Sequence, residues 1–261
     1  MATVDRLDEL LDEVEPSKKT LLLLNVTDTA VDPQRRLLER VFDSETVEVA
    51  TRELPEGENN LVCLVDDGEV VATSPWDELR RSFLLINTDR YRSGTRQIKT
   101  GSFPDVLTGL DDIEFRVRGY PASNKEKLLL VMISRFIEFE ALSAGRGEFH
   151  ASFQLLSRLE DEHGTQTVYE WLAESEVSTH VYGIRDGGPT AADRLDLTVH
   201  ANDDPELRRL WFVVYTPPNS ECEAKPIALI ARETGPNVWR GLWTYDVDRT
   251  GRTRSYVKNN Y

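Results

Sequence analysis

From Asn124 to Ala144 the chain contains no glycine or proline, and most of the stretch is apolar. Ser123 and Glu126 form a capping-box pattern before it, and Gly145 supplies a stop after it. The pattern predicts one long helix over 124–144. Its run Leu128 to Ile133 also fits a buried strand ending at Ser134, because periodicity does not separate a short apolar strand from a buried helix segment. A helix this apolar buries most of its circumference, so other elements must surround it. The run is far too short to span a bilayer.

The elements around it alternate in type. Residues 3–14 read as an amphipathic helix with Val4, Leu7, Leu11 and Val14 on one face. The leucines of 20–26 read as a fully buried strand. Asp32-Pro33 starts a helix to about Phe42. Residues 46–52 alternate as a strand, and 61–65 and 69–73 flank the hairpin signal Asp66-Asp67-Gly68. Ser74-Pro75 opens a short helix, and 87–101 reads as a polar surface loop and the best internal boundary. Further on, 103–110 reads as a helix and 113–117 as a strand. Phe149, Phe153, Leu156 and Leu159 recur at helical spacing, and a helix follows over 167–174. Strands are expected at 179–184, 211–216, 227–232 and 238–245. The end, 247–261, reads as a weak helix interrupted at Gly251. The expected fold is α/β (α+β-like): a mixed sheet flanked by helices, with a long, largely buried central helix. Residues 1–100 form an N-terminal α/β portion and 101–261 a second unit, the two able to pack as one.

The 261 residues carry a formal net charge of −15, with 24 Arg but only 7 Lys. Such a surface repels phosphates and anionic headgroups, which argues against direct binding to nucleic acid or membrane. Acidic surplus with scarce Lys is the pattern of proteins from high-salt cytoplasm, where salt screens carboxylate repulsion. Stability is therefore expected to rise with salt. Cys63 and Cys222 have no metal-ligand spacing, and each reads as a buried, reduced thiol, Cys63 from its apolar flanks Leu61, Val62 and Leu64. The N-terminus carries Asp and Glu rather than a basic-then-apolar leader, so a cytoplasmic location is expected.

No phosphate-binding loop, dinucleotide fingerprint or His-Glu-x-x-His motif is present. His150, His163, His180 and His200 never fall at helical ligand spacing, so no metal site is assigned from them, a site assembled from distant histidines being the alternative. Two clusters carry possible binding chemistry. Ser134, Arg135 and Glu138 fall on one helical face of the apolar stretch; they form either an ordinary i,i+3 ion pair or a polar trio whose Arg135 fork holds an anionic or planar ligand. Trp239 and Trp243, with Tyr245 and Gly241, share a strand face and are either core or a stacking wall that Gly241 lets a planar ligand approach.

Met132-Ile-Ser-Arg-Phe-Ile-Glu138, Gly147-Glu-Phe-His150, Phe153-Gln-Leu-Leu-Ser157, Tyr169-Glu-Trp-Leu-Ala173, His180-Val-Tyr-Gly183, Trp211-Phe-Val-Val214 and Gly241-Leu-Trp-Thr-Tyr-Asp246 together resemble successive motifs of the DICT sensory domain, in its stand-alone haloarchaeal form. The resemblance covers about 111–246. It implies an α+β fold around a small sheet and a sensory role, with a signalling protein such as a histidine kinase or regulator as partner; the missing catalytic motifs, not the resemblance, argue against an enzyme. No cyclase motif or kinase core follows the sensor, so output must run through a partner or a small-molecule ligand. The candidate ligand-binding residues are Ser134, Arg135, Glu138, His150, Gln154, His180, Tyr182, Trp239 and Trp243; no cofactor is named. Two other readings compete. One is an interaction module docking through an exposed apolar patch, such as the N-terminal helix. The other is an enzyme, which needs His150 and Glu138 to converge as acid and base.

Overall fold

A computed structural model describes residues 6–14, 18–27, 35–36, 38–39, 46–87, 103–118, 128–161, 163–187, 191–218, 223–236 and 238–261. The first helix, α1 (Glu9–Asp12), is shorter than expected and has no side-chain cap at Asp8. Leu7 just before it and its own Leu10 and Leu11 are buried, so they offer no exposed patch for a partner. The leucine run forms β1 (Lys19–Leu24). Leu21 and Leu23 are buried while Leu22 and Leu24 are only half-buried, so the strand has one core face rather than two. The described residues of the next helical stretch, Arg35, Arg36, Leu38 and Glu39, are helical.

Strand β1 pairs in parallel with β2 (Val47–Arg52) and antiparallel with β3 (Leu61–Asp66), which turns back into β4 (Glu69–Pro75). Asp67 and Gly68 make that turn at φ 48° and 85°, the pair of positive values a tight hairpin demands. Helix α2 (Trp76–Asn87) follows at once. The expected loop beyond Asn87 lies almost wholly outside the described residues, as does Cys222; Cys63 is a buried free thiol on β3.

The second sheet takes seven strands. Short α3 (Asp105–Thr108) and β5 (Phe115–Arg118) lead to the long helix α4 (Leu128–Ala144). Leu128 to Ile133 is therefore helix, and Gly145, at φ 67°, caps it by donating to Ala141 O. Then come β6 (Arg146–Leu155), α5 (Arg158–Asp161), α6 (His163–Ala173), β7 (Glu176–Ile184), α7 (Ala191–Arg194), β8 (Thr198–Ala201), a 3₁₀ turn (Pro205–Arg209), β9 (Leu210–Thr216), β10 (Ile227–Gly235), β11 (Val238–Thr244) and α8 (Val247–Asn260). The sheet order is β5-β11-β10-β9-β6-β7-β8, with β6, β7 and β8 parallel and the other pairs antiparallel.

Two expectations are corrected here. The segment from Phe149 to Leu159 begins as strand, not helix. Phe149 and Phe153 are four residues apart, a spacing that suits either period, and Phe149, Ala151 and Phe153 share one face of β6. Helix α8 runs through Gly251 without a break. Glycine costs a helix about 1 kcal/mol, but Asp246 caps Arg249 N at 2.7 Å, and Thr250, Thr253, Tyr256 and Val257 are buried. Ion pairs from Arg249 to Asp112 and from Arg252 to Glu13 and Asp248 anchor its flanks.

The chain is thus α/β, with two mixed sheets and, among the described residues, eight bounded α-helices besides the helical residues 35–36 and 38–39. One face of the seven-stranded sheet packs on α4 and α6, in an apolar cluster that continues into Leu21, Val62, Leu64 and Trp76 of the first sheet region. The other face packs on α1 and α8 through Tyr182, Phe212, Ile230, Leu242, Tyr256 and Val257. No described helix is long and apolar enough to cross a membrane.

Candidate functional site

The residues singled out in the sequence fall on opposite faces of the seven-stranded sheet. On the α4 side, Arg135 pairs with Glu138 at 2.6 Å and donates to Thr165 Oγ1 on α6, while Ser134 accepts from Trp211 Nε1 at 3.0 Å. The two charged side chains are only 10% and 6% exposed. Glu138 also bonds the Tyr169 hydroxyl, whose pKa burial pushes well up. The trio is a buried clamp that ties α4 to α6 and to β9, its hydrogen bonds spent on protein.

Trp239 and Trp243 are core residues of the same side. Trp239 packs edge-on to Trp211, and Trp243 edge-on to Phe136 while donating to Leu110 O at 2.6 Å. A Cβ at Gly241 would lie 2.8 Å from both Phe115 Cζ and Ala231 Cβ. The close approach that glycine permits is therefore taken by the protein's own side chains. The cavity beside Trp243, lined by Phe103, Leu107, Phe115 and Ile133, is only about 10 Å³, room for about one water. Gln154 lies in the bulge closing β6, at φ 55°, with Oε1 accepting from Arg158. His150 and Glu138, the hypothetical acid–base pair, stand on opposite sides of the sheet.

His150, His180 and Tyr182 do come together, on the face toward α8. Residues i, i+2 and i+4 of a strand share a face, so β6 presents Glu148, His150 and Ser152, β7 presents Ser178, His180 and Tyr182, and β8 presents Thr198 and His200. The parallel register sets Glu148 beside Ser178, His150 beside His180, and Ser152, Tyr182 and His200 in one row. Parallel strands buried on both faces are ordinarily apolar; here one face carries a grid of titratable groups. His150 and His180 stack at 4.7 Å, and Tyr182 stacks on His200 at 4.3 Å. His150 Nδ1 is 2.9 Å from the Tyr182 hydroxyl, and His180 Nδ1 is 3.0 Å from His200 Nε2.

The inner nitrogens face Glu148. Its Oε1 lies 3.4 Å from His150 Nε2 and 3.9 Å from His180 Nε2, which also has Ser178 Oγ at 3.2 Å. The same carboxylate takes two cations from α8, Lys258 at 2.5 Å and Arg254 at 3.3 Å. Gly147 makes this placement possible: at φ 121° a Cβ there would sit 2.6 Å from Thr216 O.

Burial keeps the imidazoles neutral. His150, 0% exposed, has its pKa lowered to about 3 by desolvation and then by His180. Desolvation lowers His180 and His200 too, helped by His200 and Lys258 respectively. Burial works against the Glu148 carboxylate, but the Lys258 hydrogen bond and nearby positive charge hold its pKa below the ordinary range.

Glu148, His200, Arg254 and Lys258 were missed from sequence. His200 lies on a four-residue edge strand, and the two cations on the helix that Gly251 makes look weak. The grouping spans neighbouring strands, so no local spacing announces it.

No protein-family model and no curated protein matches this sequence. A solved structure, the polyphosphate kinase from Porphyromonas gingivalis, is similar at a TM-score of 0.40 and 14% identity, over 64% of this chain and 26% of that one.

Proposed function

We propose that the chain is a non-enzymatic, cytoplasmic sensory module that binds a small ligand or cofactor and signals through a partner such as a histidine kinase or regulator. The motif resemblance to DICT domains supports the sensory class. The observation that carries the reading is the Glu148 carboxylate, shared between buried imidazoles and the cations of α8. A group arriving at the histidines competes with Lys258 and Arg254 for that carboxylate. Ligand binding then biases the packing of α8, and only a ligand with different affinity for the two packings shifts the population.

The test is amide hydrogen exchange along α8, with thermal unfolding and an absorption spectrum, against a panel of nucleotides, flavins, small anions and divalent cations. The reading expects one class to raise the unfolding temperature and change exchange in α8. Stabilisation with α8 unaltered, or silence across the panel, removes it.

One observation favours an interaction module instead: Val70 and Val71 are 57% and 53% exposed on the edge strand β4. Exposed apolar edge strands invite pairing with another chain. That reading expects Val70→Lys/Val71→Lys to abolish partner capture while leaving ligand responses intact.

A further inference from the structure

We infer that Glu148, His150 and His180 form a binding site for a divalent first-row transition-metal ion of the zinc class. One ligand atom from each lies within 4.8 Å of the others. Ligands of a tetrahedral zinc ion sit about 3.3 Å apart, given bonds of about 2.0–2.1 Å, so separations of 3.4 and 3.9 Å from Glu148 Oε1 need only small side-chain rotations to close on an ion. The near-parallel imidazoles, 15° apart, must tilt toward each other to do so.

Three features point to a ligand rather than to packing. His150 is completely buried, yet its Nε2, 3.4 Å from the nearest carboxylate oxygen, has no hydrogen-bond partner. An unsatisfied polar atom at such a position carries a desolvation cost that coordination removes. Second, the outer nitrogens are already held, His150 Nδ1 by Tyr182 and His180 Nδ1 by His200. With each Nδ1–H donating outward, both Nε2 lone pairs face inward, the arrangement in which outer partners fix ligand tautomers. Third, the site is reachable: His180 and Glu148 are 16% and 22% exposed.

Two imidazoles and one carboxylate suit zinc, cobalt, nickel or copper, whereas calcium and magnesium require shells dominated by oxygen. Three protein ligands leave a coordination position for water or a small anion. Besides Tyr182 and His200, Ser178, Lys258 and Arg254 stand at this cluster. Lys258 holds the very oxygen the ion needs, so metal and ammonium exclude each other there. That exclusion rests on the sensory reading only in its consequence for α8; the site itself does not.

The experiment strips the full chain with chelator and titrates Zn²⁺ against a chromophoric chelator, with Mg²⁺ and Ca²⁺ as comparisons. One equivalent of Zn²⁺ is expected to bind and Mg²⁺ not to. His180→Ala and Glu148→Gln, at partly exposed positions, should each weaken binding at least tenfold with circular dichroism unchanged. Lys258→Met should tighten it several-fold by removing the competitor. His200→Ala tests positioning: a smaller loss than His180→Ala is expected. Absence of stoichiometric Zn²⁺ binding overturns the inference, as does binding that folded His180→Ala and Glu148→Gln leave unchanged. Zinc bound at these residues with no change in α8 exchange supports the site and removes the sensory reading. An α8 response to another ligand, without zinc binding, does the reverse.

Discussion

Lys258 donates to Glu148 at 2.5 Å, joining residues 110 positions apart in the chain. The contact ties the last turn of α8 to the strand that carries His150. Lys258 is 47% exposed, and an ion pair of that kind contributes at most about 1 kcal/mol. Lys258→Met is therefore expected to lower unfolding free energy by about 0.5–1 kcal/mol while speeding amide exchange in the final turn of α8. Glu148→Gln should cost more, because Arg254 loses its partner too. A double-mutant cycle by denaturant unfolding measures the coupling, and a coupling of zero means the contact does not hold α8.

The Arg135–Glu138 pair gives the opposite case. Removing one member of a buried pair strands the other and costs about 3–5 kcal/mol. Glu138→Ala should reach that range in urea unfolding, whereas Arg135→Met combined with Glu138→Leu should recover most of the loss. If Arg135 instead anchored a ligand, Arg135→Met would abolish ligand-induced stabilisation with little effect on the free protein.

Gly147 sets where β6 begins and hence where Glu148 lies. Gly147→Ala adds a left-handed strain of about 1–2 kcal/mol and a Cβ against the Thr216 carbonyl. We expect a loss of at least about 2 kcal/mol in denaturant unfolding, the clash adding to the strain. A change below about 0.5 kcal/mol would mean that β6 shifts freely.

The long helix was legible because its signals agree: the capping box, the unbroken apolar run and Gly145, which the structure places at φ 67°. The tight hairpin at Asp67-Gly68 was legible for the same reason. The strand β6 was not, since Phe149 and Phe153 at a spacing of four satisfy helix and strand alike. The histidine grid was half legible. His150, His180 and Tyr182 stand out by residue type, but their meeting depends on the parallel register of β6 and β7, which no local pattern encodes. Lys258 required knowing that burial of Tyr256 and Val257 outweighs Gly251 in α8. Arg135 and Trp239 look the same in sequence whether they face a ligand or a neighbouring helix.

The net charge of −15 predicts a salt response. Salt screens the repulsion among unpaired carboxylates but also weakens exposed ion pairs such as Arg35–Glu39, each worth little. The repulsion term should dominate, so the thermal midpoint rises monotonically from dilute buffer to molar KCl. Highest stability in dilute buffer would contradict the salt-adapted reading.

The buried histidines predict an acid sensitivity of definite sign. His150 titrates near 3 in the folded chain against an ordinary 6.5, and His180 and His200 are shifted the same way. Below 6.5 the unfolded chain therefore binds protons that the folded chain refuses, so stability is full above 6.5 and falls as pH drops toward 3. Each such histidine contributes a slope of up to about 1.4 kcal/mol per pH unit. Burial raises the Asp111 and Glu140 carboxyls, which act with the opposite sign as pH falls, so the imidazole share between pH 6.5 and about 5 is read from the difference between wild type and His150→Gln. Metal-free protein unfolded by urea across that window should lose stability steadily, and His150→Gln should flatten the curve. A difference between the two that is level from pH 7 to 5 would mean that this imidazole accepts its proton in place.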